Sequence, residues 1–206
     1  MSISPWSFSR IKSFEQCPKQ FYHLKIAKDY EEEQTSAMTY GTELHAVAEN
    51  YVQHGEDIPR RFGFMKPVLD SLKNKKGKKY CEVRMGLTQN LSPCSFTSKQ
   101  VWVIDYKSSK SAKYADKGQL ELMALSVFSY MPKIDTINAG LLFVVCKQLV
   151  KQVYTRSGSN ELWDKWISNY KKMETAYNKD VWNARPSGLC RRHCPVIECI
   201  HNGSNN

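Results

Sequence analysis

An acidic residue and a lysine lie two positions apart at the end of an apolar segment. Residues 101–104 read Val-Trp-Val-Ile, and Asp105, Tyr106 and Lys107 follow them. Because β-branched and aromatic residues favour strands, and side chains two positions apart on a strand share a face, Asp105 and Lys107 are predicted to project together from a strand end. A carboxylate and an ammonium group held side by side suit phosphodiester chemistry, in which a metal-bound carboxylate and a cation act on a phosphate.

Three cysteines near the C-terminus form a second group of residues that could do chemistry. Cys190, Cys194 and Cys199 lie within ten residues of one another. The N-terminus lacks the apolar core of a signal peptide, so we expect a cytoplasmic protein, in which seven cysteines do not predict a disulfide framework. Metal binding is the better use for cysteines that cluster. Zinc would accept these three together with His193 or His201, although the C-x3-C-x4-C spacing differs from that of zinc ribbons.

The charge balance indicates what kind of partner the protein binds. The chain has 206 residues and a formal net charge of +10. An excess of basic residues favours a polyanionic partner, of which nucleic acid is the commonest, although lysines also keep a protein soluble. No apolar run approaches the roughly 18 residues that span a membrane, so no membrane partner is expected. The cationic run over 73–79 predicts a solvated loop that could touch phosphates if it lies near a groove.

The order of predicted elements indicates a mixed α/β domain that positions these residues. Apolar residues recur at helical spacing over four segments: 7–28, interrupted at Pro18, then 39–55, 115–131 and 161–177. Four segments have the composition of strands: 79–87, 100–107, 137–147 and its hairpin partner 148–155. The C-terminal tail, which holds three of the cysteines, is rich in turn residues. The predicted order is therefore helices, strands, a helix, a strand pair, a helix and a tail.

Three of these segments carry residues whose order resembles a known superfamily. His45 lies on a helix in Gly-Thr-Glu-Leu-His, Asp105-x-Lys107 ends a strand, and Gln119 opens the helix that follows. With Phe-Glu-Gln-Cys-Pro near the N-terminus and the cysteines near the C-terminus, this order resembles the PD-(D/E)XK nuclease superfamily. It is most similar to the RecB-type and phage-encoded exonucleases that carry an iron–sulfur cluster. Each motif is weak alone, whereas their common order over nearly the whole chain is specific.

The resemblance implies a role for each residue of the candidate site. His45 would bind a metal ion through a neutral ring nitrogen. Asp105 and the carbonyl oxygen of Tyr106 would be further ligands of Mg²⁺ or Mn²⁺. Lys107 would orient the attacking water or stabilise the transition state, and Gln119 would position the DNA or the lysine.

The sequence departs from the superfamily pattern at the second metal-binding carboxylate. That acid normally lies in Gly-x-x-Asp on the strand before the Asp-x-Lys motif, but the segment between Cys94 and Val103 contains no acid. By ordinary strand and turn lengths, a hairpin of roughly 15–25 residues is missing here. Glu82 is the nearest upstream acid, and it could supply the second carboxylate or pair with Arg84 on the same strand face. Met123 stands where the family carries a tyrosine.

The resemblance also implies a [4Fe–4S] cluster on Cys17 and the three C-terminal cysteines, with zinc as the alternative. Such a cluster would join the N-terminal helix to the C-terminal tail and remove the freedom of a very long loop in the unfolded chain. Four basic residues flank these cysteines: Arg10, Lys12, Arg191 and Arg192. They could form one basic patch over DNA phosphates.

The resemblance implies a single PD-(D/E)XK nuclease-like domain over residues 1–206. We expect a restriction-endonuclease-like α/β fold, a mixed sheet flanked by helices, whose N- and C-termini are joined by the metal cluster. The nuclease core is expected over 38–155, and the cluster-binding elements over 9–28 and 186–203.

The expected function is that of a metal-dependent DNA exonuclease in phage or bacterial DNA processing or recombination, in the host cytoplasm if a phage encodes it. The missing carboxylate leaves a second possibility, a catalytically impaired homologue that binds DNA ends as an accessory protein. A third is a redox-responsive DNA-binding module in which the cluster is the functional part.

Overall fold

The computed structural model describes residues 6–32, 34–76, 79–81, 102–113 and 115–205. Within these ranges the chain forms six α-helices and three strands. The helices are α1 (Phe8–Gln16), α2 (Pro18–Phe21), α3 (Ser36–Glu49), α4 (Lys66–Lys73), α5 (Gly118–Tyr130) and α6 (Ser159–Lys179). The strands are β1 (Trp102–Lys107), β2 (Thr136–Phe143) and β3 (Gln148–Thr155).

The chain divides into two compact units. The cysteine unit comprises Met1–Glu33 with Glu161–Asn206, and the sheet unit comprises Gln34–Asn160. The expectation of one domain over residues 1–206, with a nuclease core at 38–155, stays a prediction. No helix in the described part of the chain is long and apolar enough to cross a membrane.

The strands of the sheet unit form one sheet in the order β1–β2–β3. β1 runs parallel to β2, with Trp102 opposite Asn138 and Lys107 opposite Phe143. β3 runs antiparallel to β2 as its hairpin partner. β2, the central strand, is almost entirely buried, whereas most residues of β3 are exposed or partly exposed. This mixed α/β arrangement is consistent with the expected fold class.

Helices α3 and α4 pack on one face of the sheet. The side chains of Ile104 and Tyr106 of β1 project from this face. A core cluster joins these helices to β2 and to the 3₁₀ segment that precedes α4: Leu44, Ala48, Phe62, Met65, Leu69, Leu142 and Val144. Ile104 and Tyr106 pack against this cluster. Because side chains alternate along a strand, Asp105 and Lys107 project from the other face, where α5 contacts β1.

Helix α5 is largely buried, and one arginine caps its C-terminal end. The buried apolar residues of α5 are Leu120, Ala124, Leu125, Val127, Phe128 and Tyr130. The guanidinium group of Arg156 donates hydrogen bonds to the carbonyl oxygens of Phe128, Met131 and Ile134, at 3.1, 2.7 and 2.9 Å. Since the last carbonyls of a helix have no partners within it, Arg156 supplies a donor to the carbonyl of Phe128, and it ties Met131 and Ile134, which follow the helix, to the same guanidinium group.

The predicted end of one strand is wrong, and a second predicted strand lies mostly outside the described residues. The strand predicted over 137–147 ends at Phe143, because residues 144–147 form the turn that leads into β3. Lys147 adopts a φ of 54° in that turn, a left-handed conformation that a strand residue does not have. Cys146 therefore lies in a turn and not in a strand. Most of the strand predicted over 79–87 lies outside the described residues.

In the cysteine unit, Pro18 separates the two N-terminal helices. α1 begins after Ser7, whose hydroxyl group accepts a hydrogen bond from the backbone of Arg10. Pro18 occupies the first turn of α2, where the missing N–H costs nothing. The predicted interruption is thus confirmed. Aromatic and apolar residues of these helices pack with α6 and the segment after it: Phe14, Phe21, Met173, Ala176, Tyr177 and Trp182.

Replacing Arg156 with alanine should destabilise the sheet unit. The substitution removes three charge-assisted hydrogen bonds, so we expect the free energy of unfolding to fall by about 2–4 kcal/mol. Arg156→Lys keeps the charge but loses the planar group that reaches three carbonyls, so its effect should be intermediate. Urea denaturation followed by circular dichroism would measure both variants. An alanine variant as stable as the parent would show that the cap contributes nothing.

Candidate active site and cysteine cluster

Asp105, Lys107 and Gln119 form a connected group at the C-terminal end of β1. Lys107 Nζ lies 2.7 Å from Asp105 Oδ2. The same ammonium group donates a hydrogen bond to Gln119 Oε1 at 2.8 Å, and Gln119 Nε2 donates to Asp105 Oδ1 at 3.4 Å. The strand sets the spacing of the acid and the lysine, and α5 brings its second residue against both. The structure thus brings together three residues that the sequence assigned to one site.

The carboxylate of Asp105 is buried, and only 8% of the residue is exposed. A buried charge needs compensating neighbours, and Lys107 and Gln119 are those neighbours here. Oδ2 lies 2.7 Å from the ammonium group of Lys107, and no other group of the described residues bonds to it. A cation could use this acceptor as a ligand, since hard divalent ions prefer carboxylate oxygens.

His45 lies on α3 and reaches the backbone of β1. Its Nε2 lies 2.9 Å from the carbonyl oxygen of Tyr106. Two groups predicted to bind the same metal ion are therefore neighbours. The surface beside His45 is an open groove whose other lining residues are Ala37, Met38, Gly41, Thr42 and Ser108. A ligand could approach the imidazole through this groove.

The possible metal ligands near the end of β1 fit a hard divalent cation. Asp105 would contribute a carboxylate oxygen, Tyr106 a carbonyl oxygen and His45 an imidazole nitrogen. Carboxylate and carbonyl oxygens suit Mg²⁺ and Mn²⁺, which complete their shells with water and substrate phosphate. Glu82, the candidate for the second carboxylate, lies outside the described residues, as does Arg84. Both the metal-binding role of Glu82 and its pairing with Arg84 stay predictions.

The four predicted cluster ligands line one small cavity of the cysteine unit. Cys17 lies directly before α2, and Cys190 lies in the 3₁₀ turn Gly188–Arg191. Cys194 and Cys199 reach the cavity from the loop that follows this turn. His201 also lines the cavity, whereas the side chain of His193 is exposed. The C-terminal tail therefore returns to the N-terminal helices, as a shared metal centre would require.

Backbone contacts hold Cys17 and Cys190 in place. The backbone N–H of Arg185 donates to Cys17 Sγ, and that of Ser187 donates to Cys190 Sγ, both at 3.4 Å. The guanidinium group of Arg185 also donates to the carbonyl oxygen of Glu15. Hydrogen bonds to sulfur are among the contacts by which proteins tune iron–sulfur clusters. These contacts therefore suit a thiolate-bound centre.

The environment of Cys194 opposes a free thiolate. Burial raises the pKa of the Cys194 thiol, the nearby Cys190, Cys17 and Cys199 raise it further, and a hydrogen bond from the backbone of Val196 lowers it. Cysteines this close to one another become thiolates readily only when a metal centre binds them. No three His, Cys, Asp or Glu side chains of the described residues, these cysteines included, are arranged to hold a metal ion. The cluster that joins the termini stays a prediction.

The sequence did not reveal two residues that shape the cysteine-bearing tail. Asn202 is 5% exposed, and its amide group donates to the carbonyl oxygens of Cys194 and Val196 at 2.9 and 3.0 Å. Gly203 packs against the backbone of Arg191, where an added Cβ would lie 2.7 Å from Cα. The Asn-Gly pair shortly after the last cysteine is a turn signal that could have marked both residues.

Two of the four predicted DNA-binding residues are engaged within the protein. Arg10 donates a hydrogen bond to the hydroxyl group of Tyr177 at 3.3 Å and lies 5.4 Å from the ring centroid of Phe21. Lys12 forms an ion pair with Glu15 at 3.5 Å. These contacts leave less of each cation available to a phosphate.

The other two, Arg191 and Arg192, are exposed on the cysteine-bearing tail. Neither forms an ion pair with an acid of the described residues. Their guanidinium groups therefore face solvent, as phosphate-binding groups would. DNA binding by all four basic residues stays a prediction.

A family model of the PD-(D/E)XK nuclease superfamily matches residues 5–79. The matched range includes Cys17 and His45, and it supports the superfamily that the order of motifs indicated. The Asp-x-Lys motif, Gln119 and the three C-terminal cysteines follow that range. No curated protein matches the chain.

Substituting Gly203 with alanine should disturb the cysteine-bearing tail. The new methyl group would collide with the backbone of Arg191, which cannot move aside as a flexible side chain can. We expect a loss of about 1–3 kcal/mol in the free energy of unfolding, as for other overpacked positions. Gly188→Ala is the matched control, because no atom lies within 4 Å of its added Cβ. Thermal unfolding would compare the two variants, and equal losses of stability would contradict the predicted collision with Arg191.

Proposed function

We propose that this protein is a metal-dependent DNA exonuclease of the PD-(D/E)XK superfamily that works in phage or bacterial DNA processing or recombination. The observation that carries the proposal is the network of Asp105, Lys107 and Gln119 at a strand end. The contact between His45 and the carbonyl oxygen of Tyr106 adds two further possible metal ligands next to this network. The superfamily match and the net charge of +10 are independent support.

Each side chain of this network has a task in phosphodiester hydrolysis. Asp105, His45 and the Tyr106 carbonyl would hold Mg²⁺ or Mn²⁺. When bound, such an ion makes a coordinated water more acidic and neutralises charge on the phosphate. Lys107 supplies a compact cation that stabilises negative charge on the phosphate or orients the attacking water. Gln119 bonds to both the lysine and the carboxylate and so fixes their relative positions.

Digestion of end-labelled linear DNA with Mg²⁺ or Mn²⁺ tests this function. The parent protein should shorten linear DNA from its ends and leave a closed circle of the same sequence intact. Asp105→Ala and Lys107→Ala should each lose at least about a hundredfold in rate, since each removes a group that stabilises charge in the transition state.

Asp164→Ala is the matched control, because Asp164 is an exposed carboxylate on α6, and its rate should be unchanged. Glu82→Ala belongs in the same series. A rate loss as large as that of Asp105→Ala would assign the second carboxylate to Glu82. Equal rates for the parent protein and Asp105→Ala would refute the proposed site.

The departure from the Gly-x-x-Asp pattern favours a second candidate, a catalytically impaired homologue that binds DNA ends as an accessory protein. The segment between Cys94 and Val103 contains no acid that could serve as the second carboxylate. The same digestion separates the two functions. A parent protein that binds labelled DNA but does not shorten it with either metal would establish the accessory function.

The shared cavity of Cys17, Cys190, Cys194 and Cys199 supports a second part of the proposal, a [4Fe–4S] cluster or, alternatively, zinc. When bound, either centre would tie α2 to the C-terminal tail. The four thiols would be its ligands, and the backbone N–H groups of Arg185 and Ser187 would remain directed at two of the sulfurs.

Cys17→Ser should remove the metal centre and lower stability. The link from Cys17 to the tail closes most of the chain into a loop, and its loss should cost about 5 kcal/mol by the entropy of loop closure. Cys146→Ser is the matched control, because Cys146 lies in the turn before β3 and not at the cavity.

Visible absorption and metal analysis of anaerobically purified protein would check the result. Iron with a visible band would identify the cluster, and colourless protein with zinc would identify the alternative. An unchanged metal content in Cys17→Ser would rule out Cys17 as a ligand.

A further inference from the structure

The cysteine-bearing tail presents large apolar side chains to solvent. Ile200 is 78% exposed, the highest value for a large apolar residue in the described part of the chain, and Ile197 is 58% exposed. Leu189, on the turn that carries Cys190, is 43% exposed. Exposed apolar residues that cluster on one short segment usually mark a surface that meets a partner.

The two isoleucines stand on a fixed backbone. Val196 is 1% exposed and Cys199 is 7% exposed, so the residues next to each isoleucine are anchored in the interior. The side-chain amide of Asn205 donates hydrogen bonds to the carbonyl oxygens of Ile197 and Cys199, at 2.7 and 3.0 Å. A loop held in this way keeps its exposed side chains in place and loses little entropy when it binds.

The charges of the same segment indicate the chemistry of the partner. Residues 181–205 contain three arginines and a single acid, Glu198. Arg191 and Arg192 are exposed, and the backbone of Arg191 packs against Gly203, three residues after Ile200. Apolar side chains flanked by arginines fit a nucleic acid, which offers stacked bases beside a line of phosphates.

We infer that Ile197 and Ile200 form a hydrophobic wedge that unstacks the end of a nucleic-acid duplex, while Arg191 and Arg192 bind its phosphates. Apolar side chains inserted between base steps are a known way to unstack them, and the arginines would offset the cost of opening the end. The inference rests on the proposed function, since an exonuclease must engage a DNA end. It adds the surface that opens that end, in a segment that carries neither Asp105 nor Lys107.

The test compares the double variant Ile197→Ser, Ile200→Ser with the full-length parent protein. A DNA duplex with 2-aminopurine in its terminal base pair reports unstacking by a rise in fluorescence, and leaving Mg²⁺ and Mn²⁺ out of the buffer prevents cleavage. The parent protein should raise the fluorescence and the double variant should not. The affinity of the variant for the duplex should fall about tenfold, while its affinity for a single strand of equal length stays the same.

Two further double variants control the experiment. Leu149→Ser, Val153→Ser removes two exposed apolar side chains from β3, outside the cysteine-bearing tail, and should behave like the parent protein. Arg191→Gln, Arg192→Gln should release about two fewer counterions on binding, for the duplex and for the single strand alike. The affinity of this variant should therefore fall less steeply with salt. Circular dichroism would confirm that each variant is folded.

The outcomes distinguish failure of the wedge from failure of the proposed function. A serine variant that binds and unstacks the duplex like the parent protein, while the parent degrades DNA, overturns the wedge alone. If the serine variant responds to DNA like the parent protein but no longer binds a purified protein partner, the surface is a protein-docking site. That result would also overturn the wedge. A parent protein that neither binds nor degrades DNA overturns both proposals.

Discussion

A buried carboxylate at the end of β1 is the constraint on which the candidate active site depends. Such a group can be buried only where cations and donors compensate it. Lys107 does so from the same strand face, and Gln119 does so from α5. Their meeting requires the parallel pairing of β1 with β2 and the packing of α5 on the sheet. Arg156 contributes from a distance, because it holds the far end of the helix that carries Gln119.

The cysteine unit is organised by a different constraint, the return of the last segment of the chain to its first helices. Trp182 packs with Phe14 and Phe21. A few residues later, the backbone N–H of Arg185 donates a hydrogen bond to the sulfur of Cys17. Aromatic packing and this hydrogen bond therefore hold the tail next to Cys17. A centre bound by the four thiols would reinforce an arrangement that aromatic packing and hydrogen bonds already favour.

Local patterns predicted those elements whose residues carry a clear signal. The hairpin strand 148–155 and the break at Pro18 were predicted at the positions where the structure has them, because strand composition next to turn residues and a proline are local properties. The end of β2 was predicted wrongly. Its apolar run continues through Cys146, and composition cannot distinguish the last strand residues from an apolar turn.

The sequence by itself determined that Asp105 and Lys107 share a face, since the two-residue period of a strand is a property of the backbone. Only the tertiary structure decided that Gln119 contacts both and that His45 meets the carbonyl oxygen of Tyr106. It likewise decided that residues near both ends of the chain line one cavity. Such contacts depend on how whole helices pack on a sheet or on one another, and many residues far apart in the chain set that packing together.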